Sequence, residues 1–187
     1  MDVLFVCTAN ICRSAFMERW AAHAAAGTGL RFASAGTHGY RDHPMDDEML
    51  ATLRHRGVDA TDFRSRRLTP RMVADADLVL TASREHRDFA LEDSPGAFRK
   101  ILTLGQAVDA AGQLPPDLEP GQLLAELARH RAGADTVPDV ADPYRRGPEA
   151  AEACATTVVQ MLDALLPVLA GPPVTSAGHA PLETPEP

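Results

Sequence analysis

The sequence predicts an α/β fold: a parallel sheet of four strands with helices on both faces. Three observations predict it. The runs Val3-Leu4-Phe5-Val6 and Leu78-Val79-Leu80 are apolar without alternation, as in strands buried on both faces. Helical patterns lie between the strand patterns, so the two kinds of element alternate along the chain. Connections of that type pack the helices onto the sheet as right-handed crossovers.

The elements follow in order. The first strand occupies 3–6 and leads through CTANICRS, residues 7–14, into a helix read over 16–22, rich in good helix formers. A second strand is expected at 30–34 and a turn at 36–43. Residues 44–56 read as a helix with Gly57 as its stop. A short helix is expected at 71–75, a third strand at 77–81, and a helix capped by Ser83 that runs to about residue 93. The fourth strand is expected at 100–104. Residues 147–170 carry Ala, Leu, Val and Met on repeating turns and predict a long last helix. Two regions exceed this plan. Residues 105–138, with Gly112, Pro115, Pro116 and Pro120 and then the helix-like LLAELARH, are expected as a surface insertion within a domain over 1–170. Residues 171–187, rich in proline, glycine and small side chains, are expected as a disordered tail.

At 187 residues the chain fits one domain with a sizeable core. The net charge of −8 is unevenly spread. Residues 1–100 hold fourteen basic and fourteen acidic side chains, whereas 101–187 hold four and twelve. An acidic protein is a poor partner for nucleic acid or an anionic membrane, yet the balanced first half does not repel an anionic substrate. No apolar run is expected to span a bilayer, and the N-terminus lacks a basic-then-apolar leader. Three cysteines do not make a disulfide framework, so a cytoplasmic location is expected. Lys100 is the only lysine among 18 basic residues, which with the many alanines suggests a high-GC bacterial genome.

The turn at 7–14 carries the chemistry. It joins a strand's carboxyl end to a helix's amino end, where free backbone N–H groups and the helix dipole favour an oxyanion. Thiols at helix N-termini ionise more readily than free ones, which supplies a nucleophile at neutral pH. Cys7 is the candidate. Arg13 offers a planar fork of donors to two oxygens of a bound tetrahedral anion. Ser14 is placed to donate to the thiolate or to cap the helix, and Asn10 tolerates the positive φ that a curled loop needs. Cys7 alone also fits a small buried hydrophobe at a strand end. Arg13, Ser14 and the strand-to-helix placement weigh against that. A Walker nucleotide loop is excluded, because GxxxxGK[ST] is absent.

VCTANICRS resembles the N-terminal signature of the low-molecular-weight protein tyrosine phosphatases, second cysteine included. Ala9 departs from the family's usual glycine, and Ala15 from its frequent proline. The resemblance implies a flavodoxin-like sheet ordered 2-1-3-4, with the site beyond the strand carboxyl ends. It implies catalytic roles for Cys7 and Arg13, with Thr8, Ala9, Asn10, Ile11, Cys12 and Ser14 binding phosphate or supporting the loop. It also implies a proton donor in an Asp-Pro-aromatic triplet late in the chain, here Asp142, Pro143 and Tyr144. Asp139 is the nearest competitor but lacks the following Pro-aromatic pair. Tyr40 and Tyr144, the only tyrosines, match the aromatic walls that flank an aryl phosphate. Ser34 falls in a loop-supporting segment, and Phe63 stands where many relatives carry a supporting histidine. Arg64, Arg66, Arg67 and Arg71 read most simply as a solvated basic face.

The expected function is hydrolysis of a phosphotyrosine-containing protein or small aryl phosphate through a phosphocysteine, with no cofactor and no metal. His38, His43 and His86 lack metal-ligand spacing. Two alternatives share the anion loop. A thioredoxin-coupled arsenate reductase needs a resolving cysteine pair after the third strand, and residues 81–93 contain none. A phosphate-binding protein with little turnover is the other, motivated by Ala9 and Phe63. Cys12 has two readings, packing beneath the loop or a redox guard for Cys7. Cys154 reads as packing in the last helix.

Overall fold

The computed structural model of the chain describes residues 1–115, 118–131 and 137–171. Strands β1 (Asp2–Cys7), β2 (Arg31–Gly36), β3 (Leu78–Thr81) and β4 (Ile101–Thr103) pair in parallel in the order β2-β1-β3-β4. The order 2-1-3-4 is therefore the one found. The register pairs Cys7 with Gly36 and Val6 with Thr81, and Thr81 with Thr103. All four strands thus end along one edge.

The strand period of two divides the sheet residues between two cores. Val3, Phe5 and Cys7, with Leu78, Leu80 and Leu102, face the larger one. Leu4, Val6, Val79 and Ile101 face the smaller. Helices α1 (Arg13–Ala24), α2 (Asp47–His55), α5 (Leu104–Ala111), α6 (Leu123–His130) and α7 (Pro148–Ala170) supply the larger core; α3 (Pro70–Asp75) and α4 (Arg84–Asp93) supply the smaller through Val73 and Ala90. Both faces are covered, which is why the strand sequences are apolar without alternation.

Several boundaries move for identifiable reasons. α1 starts at Arg13 rather than 16, within the signature itself. α2 starts at Asp47 rather than 44, because the Asp46 carboxylate accepts from the Met49 N–H at 3.3 Å and caps it there. Gly57 follows at φ +79°, a left-handed stop that suits glycine.

The surface insertion expected at 105–138 is corrected for its two helices. Thr103 and Gln106 form a capping box that starts α5 directly from β4. Leu104, Ala107 and Ala110 of α5 and Leu127 of α6 are fully buried in the larger core. Prolines and a short polar helix suggested a surface excursion, whereas α5 and α6 have apolar stripes that complete the sheet's cover. The tail expected at 171–187 lies outside the described residues, Gly171 excepted.

The long last helix expected over 147–170 is α7, Pro148–Ala170. It is 23 residues long and, by length and composition alone, apolar enough to cross a membrane. Its apolar side instead packs in the core through Cys154, Ala155, Val158, Leu162 and Leu165, while Glu152, Thr156, Gln160 and Asp163 are exposed.

The core role of α6 is measurable. Leu127→Ala should destabilise the protein by about 2–5 kcal/mol in chemical denaturation, as for a buried leucine that leaves a cavity. A loss within about 0.5 kcal/mol would return α6 to the surface.

Candidate active site

Five residues, 8–12, carry the chain from β1 to α1, and they are bound on every side. Asn10 adopts φ +57° and is wholly buried. Its Nδ2 donates to Ser14 Oγ at 2.9 Å and to Ser34 Oγ at 2.7 Å, while its Oδ1 accepts from the Arg66 N–H at 2.7 Å. The carbonyls of Cys7 and Thr8 accept from the Thr37 and His38 N–H groups, both at 2.9 Å, and the Ile11 carbonyl accepts from Asp46 at 3.0 Å. β2 approaches so closely that a Cβ on Gly36 would stand 2.6 Å from the Thr8 oxygen and 2.9 Å from the Ala9 carbonyl carbon. Only glycine lets the two backbones meet there. Ala9 itself is half-buried against the core.

Cys7 is buried, with Sγ 3.0 Å from Ser14 Oγ. Ser14 Oγ accepts from Asn10, so its own proton is free for Sγ; the Ala35 carbonyl, at 3.4 Å, is the weaker competitor. Of the two roles open to Ser14, the geometry selects this one, since α1 has no side-chain cap. Cys12 is also buried, and burial, aided by Asp46, pushes its thiol far above the usual range. Burial thus favours its neutral thiol form. Burial pushes Cys154 up to about 12.

Arg13 is the first residue of α1, and its side chain is 7% exposed. Nη1 donates to the Val140 carbonyl at 3.3 Å. Nη2 donates to Asp142 Oδ2 at 2.9 Å and to Thr8 Oγ1 at 3.4 Å. Nε, on the same edge of the guanidinium as Nη2, is buried and without a hydrogen-bond partner among the described residues. That edge is suited to two oxygens of a tetrahedral anion. Asp142 is half-exposed and is oriented by the Tyr144 N–H on Oδ1 at 3.2 Å. Asp139 is occupied elsewhere: its Oδ1 accepts from the Arg84 N–H at 3.1 Å, at the start of α4. The segment is docked by the Val140 N–H on the Ala82 carbonyl at 2.9 Å.

The two aromatics are not joined to the loop in the same way. Tyr144 follows Asp142 by two residues, is 39% exposed, and has the Arg145 guanidinium 5.1 Å from its ring. Tyr40 is 52% exposed and lies on a separate loop, its carbonyl bonded by Ser65 Oγ at 2.9 Å and its ring 5.5 Å from that of His43. Phe63 is a core residue with the Arg19 guanidinium 5.5 Å from its ring. Loop support runs instead through Asn10 to Ser34, whose hydroxyl donates to Glu18 Oε2 at 2.5 Å.

The sequence reading missed His86. It is buried at the start of α4, three residues beyond the Ser83 cap, with Nε2 2.8 Å from Thr8 Oγ1 and Nδ1 2.7 Å from Ser83 Oγ. Thr8 Oγ1 accepts from Arg13, which leaves its proton for Nε2 and assigns the Nδ1–H tautomer. Burial, then the nearby Arg13 charge, pushes His86 down to about 4. The available signal was the spacing from Ser83, which places the ring over the first turn beside the loop. Among the described residues no group of three or more His, Cys, Asp or Glu side chains is placed to hold a metal.

A buried thiol, a helix N-terminus and a half-free arginine, gathered at the strand carboxyl ends of a doubly wound α/β fold, form a candidate oxyanion site. Residues 2–120 match the family model described as low molecular weight phosphotyrosine protein phosphatase, and the chain belongs to that family. It is 34% identical over 105 residues to the low molecular weight protein-tyrosine-phosphatase Etp of Escherichia coli (strain K12), covering 56% of this chain and 70% of that one. The fold is similar to a low molecular weight protein tyrosine phosphatase from T. tengcongensis, with a TM-score of 0.71 at 27% identity over 89% of this chain and 97% of that one. It is equally similar to the YwlE arginine phosphatase from Geobacillus stearothermophilus, with a TM-score of 0.71 at 25% identity over 88% and 89%.

The buried imidazole leaves a signature in stability. Unfolded, His86 titrates near 6.5; folded, near 4. Between those values the unfolded chain binds the extra proton, so stability falls as pH falls through that window. The drop in Tm from about pH 7 to about pH 4.5 should therefore be shallower in His86→Gln than in the wild type. Parallel profiles would show that His86 is not the group responsible.

Proposed function

We propose that the protein hydrolyses phosphotyrosine, in a protein or a small aryl phosphate, through a phosphocysteine. The observation that carries this reading is the Cys7–Ser14–Arg13 arrangement, with one buried guanidinium nitrogen unpartnered beside a helix N-terminus. The Cys7 thiolate attacks phosphorus in line, the S–P bond forms and the P–O bond to the phenol breaks. Loop amides and the Nε–Nη2 edge of Arg13 hold the equatorial oxygens. An incoming phosphate oxygen competes with Asp142 for Nη2, which frees the carboxyl to turn toward the leaving oxygen. Asp142 gives its proton to the departing phenolate. Water then attacks the phosphocysteine, passes a proton to Asp142, and inorganic phosphate leaves with Cys7 restored as thiolate. Ser14 stabilises that thiolate through its hydroxyl.

Tyr144 and Tyr40 are the proposed walls, whose rings favour an aryl group over a short phosphoserine. None of these steps needs a metal or organic cofactor. All three cysteines are free, which suits a cytoplasmic enzyme. No cysteine lies between β3 and the end of α4, so the relay required for arsenate reduction has no support. Equal turnover of phosphoarginine and phosphotyrosine peptides would shift the substrate assignment toward the activity named for the YwlE relative.

Cys7→Ser should abolish hydrolysis of p-nitrophenyl phosphate while oxyanion binding persists, since the loop amides remain. Retention of even a tenth of the activity would remove Cys7 as the nucleophile. Asp142→Asn should slow aryl phosphates with poor leaving groups by about 10²–10⁴-fold, and those with good leaving groups less. A uniform, unchanged rate across the leaving-group series would exclude Asp142 as the acid.

A further inference from the structure

The arginines at 64–71 do not form a single solvated face. Arg71 lies on α3 and pairs with Asp75 at 3.4 Å. Arg64, Arg66 and Arg67 instead join Arg19 and Arg41 around a recess of about 680 Å³ whose floor includes Phe63 and Met72. Five arginines line it with two acidic residues, Glu18 and Asp42, and Arg19 is paired with a third, Asp62, at 3.2 Å. Glu18 is already committed to Ser34 and, at 3.4 Å, to Arg66, and Asp42 is a distant 3.9 Å from Arg64. Arg41 and Arg67 are exposed and make no side-chain hydrogen bond or ion pair among the described residues. In a protein of net charge −8, this is a local excess of positive charge.

The segment that lines the recess is tied to the candidate site by hydrogen bonds. The lining also includes Arg41, one residue beyond Tyr40. The arginine segment runs alongside β2 and the loop that follows it: the Gly36 N–H donates to the Arg66 carbonyl at 2.9 Å, and Leu68 N–H to the Gly36 carbonyl at 2.8 Å. Arg66 also donates its N–H to Asn10 of the anion loop. Guanidinium groups recognise carboxylates through paired hydrogen bonds, and an open recess with an apolar floor accepts an extended chain.

We propose that this recess binds an acidic segment of the substrate protein, aspartate- or glutamate-rich and close in sequence to the phosphotyrosine, so that flanking carboxylates select the substrate. The assignment of the segment as substrate rests on the phosphatase reading above; the binding itself does not.

Two measurements separate the two. The first is kcat/KM for four substrates: p-nitrophenyl phosphate, a phosphotyrosine peptide with neutral flanks, and two versions of that peptide with four acidic residues on one flank or on the other. One acidic peptide should exceed the neutral one by about tenfold at low salt, and the advantage should shrink on adding about 0.3 M NaCl, which shortens the screening length. Arg41→Glu/Arg67→Glu should erase the advantage and leave p-nitrophenyl phosphate within about twofold of wild type, as expected of rim charges. The second is fluorescence anisotropy with a labelled acidic peptide that carries no phosphotyrosine. It should bind the wild type at least tenfold more tightly than the charge-reversed variant. Equal rates for acidic and neutral peptides, or equal anisotropy for both proteins, would overturn the proposal. So would tighter, Arg41- and Arg67-dependent binding of an oligonucleotide of the same charge. Binding of the acidic peptide without turnover of any phosphate ester would refute the phosphatase reading and leave the recess as an acidic-peptide site.

Discussion

The side chain of Asn10 holds the site together. A loop that turns its amides inward toward an anion cannot satisfy its own backbone, and its curl requires a residue at positive φ. Asn10 supplies that conformation while its amide group joins three separate pieces of chain: Ser14 on α1, Ser34 on β2 and the backbone of Arg66. Because the amide is buried, each of these bonds is exchanged for no water, and losing one leaves an unsatisfied polar group. The anion loop, the second strand and the arginine segment are thereby fixed relative to one another.

The electrostatics follow from that frame. Arg13 is carried into a buried position by the first turn of α1, where a guanidinium needs compensation. Compensation comes from far along the chain, from the Val140 carbonyl and the Asp142 carboxylate. The loop that carries the proposed acid is therefore held by the same cation that is proposed to hold the phosphate. The neutral His86 ring adds a third tie, from α4 through Thr8, without placing a second positive charge beside Arg13. Desolvation thus serves the site in two ways, strengthening the pair and keeping the imidazole uncharged.

The reach of the sequence can be judged residue by residue. The four strands were legible because a strand buried on both faces has no polar side to confuse its pattern, and the sheet order followed from the family resemblance. Cys7, Arg13, Asn10 and Ser14 were legible because they fall within one short signature, where spacing along the chain nearly equals spacing in the structure. Helix starts were less so, since a capping carboxylate such as Asp46 competes with Pro44 only once the chain is folded. α5 and α6 were misjudged because proline and glycine signal breaks in the chain without saying whether the helices between them are covered.

The sequence by itself determined the local chemistry: a thiol, five residues and an arginine at a strand-to-helix turn, with an α/β alternation to present it. Only the tertiary structure decided which distant groups meet that turn. It separated Asp142 from Asp139 by giving one to Arg13 and the other to the amino end of α4. It brought His86 to Thr8 across 78 residues, and it required Gly36 where β2 passes the loop. It also divided four neighbouring arginines between a helix surface and a recess beside the site. Local propensity and spacing are written in consecutive residues, whereas burial, partner choice and close approach are properties of surfaces that exist only after the sheet and its helices have packed.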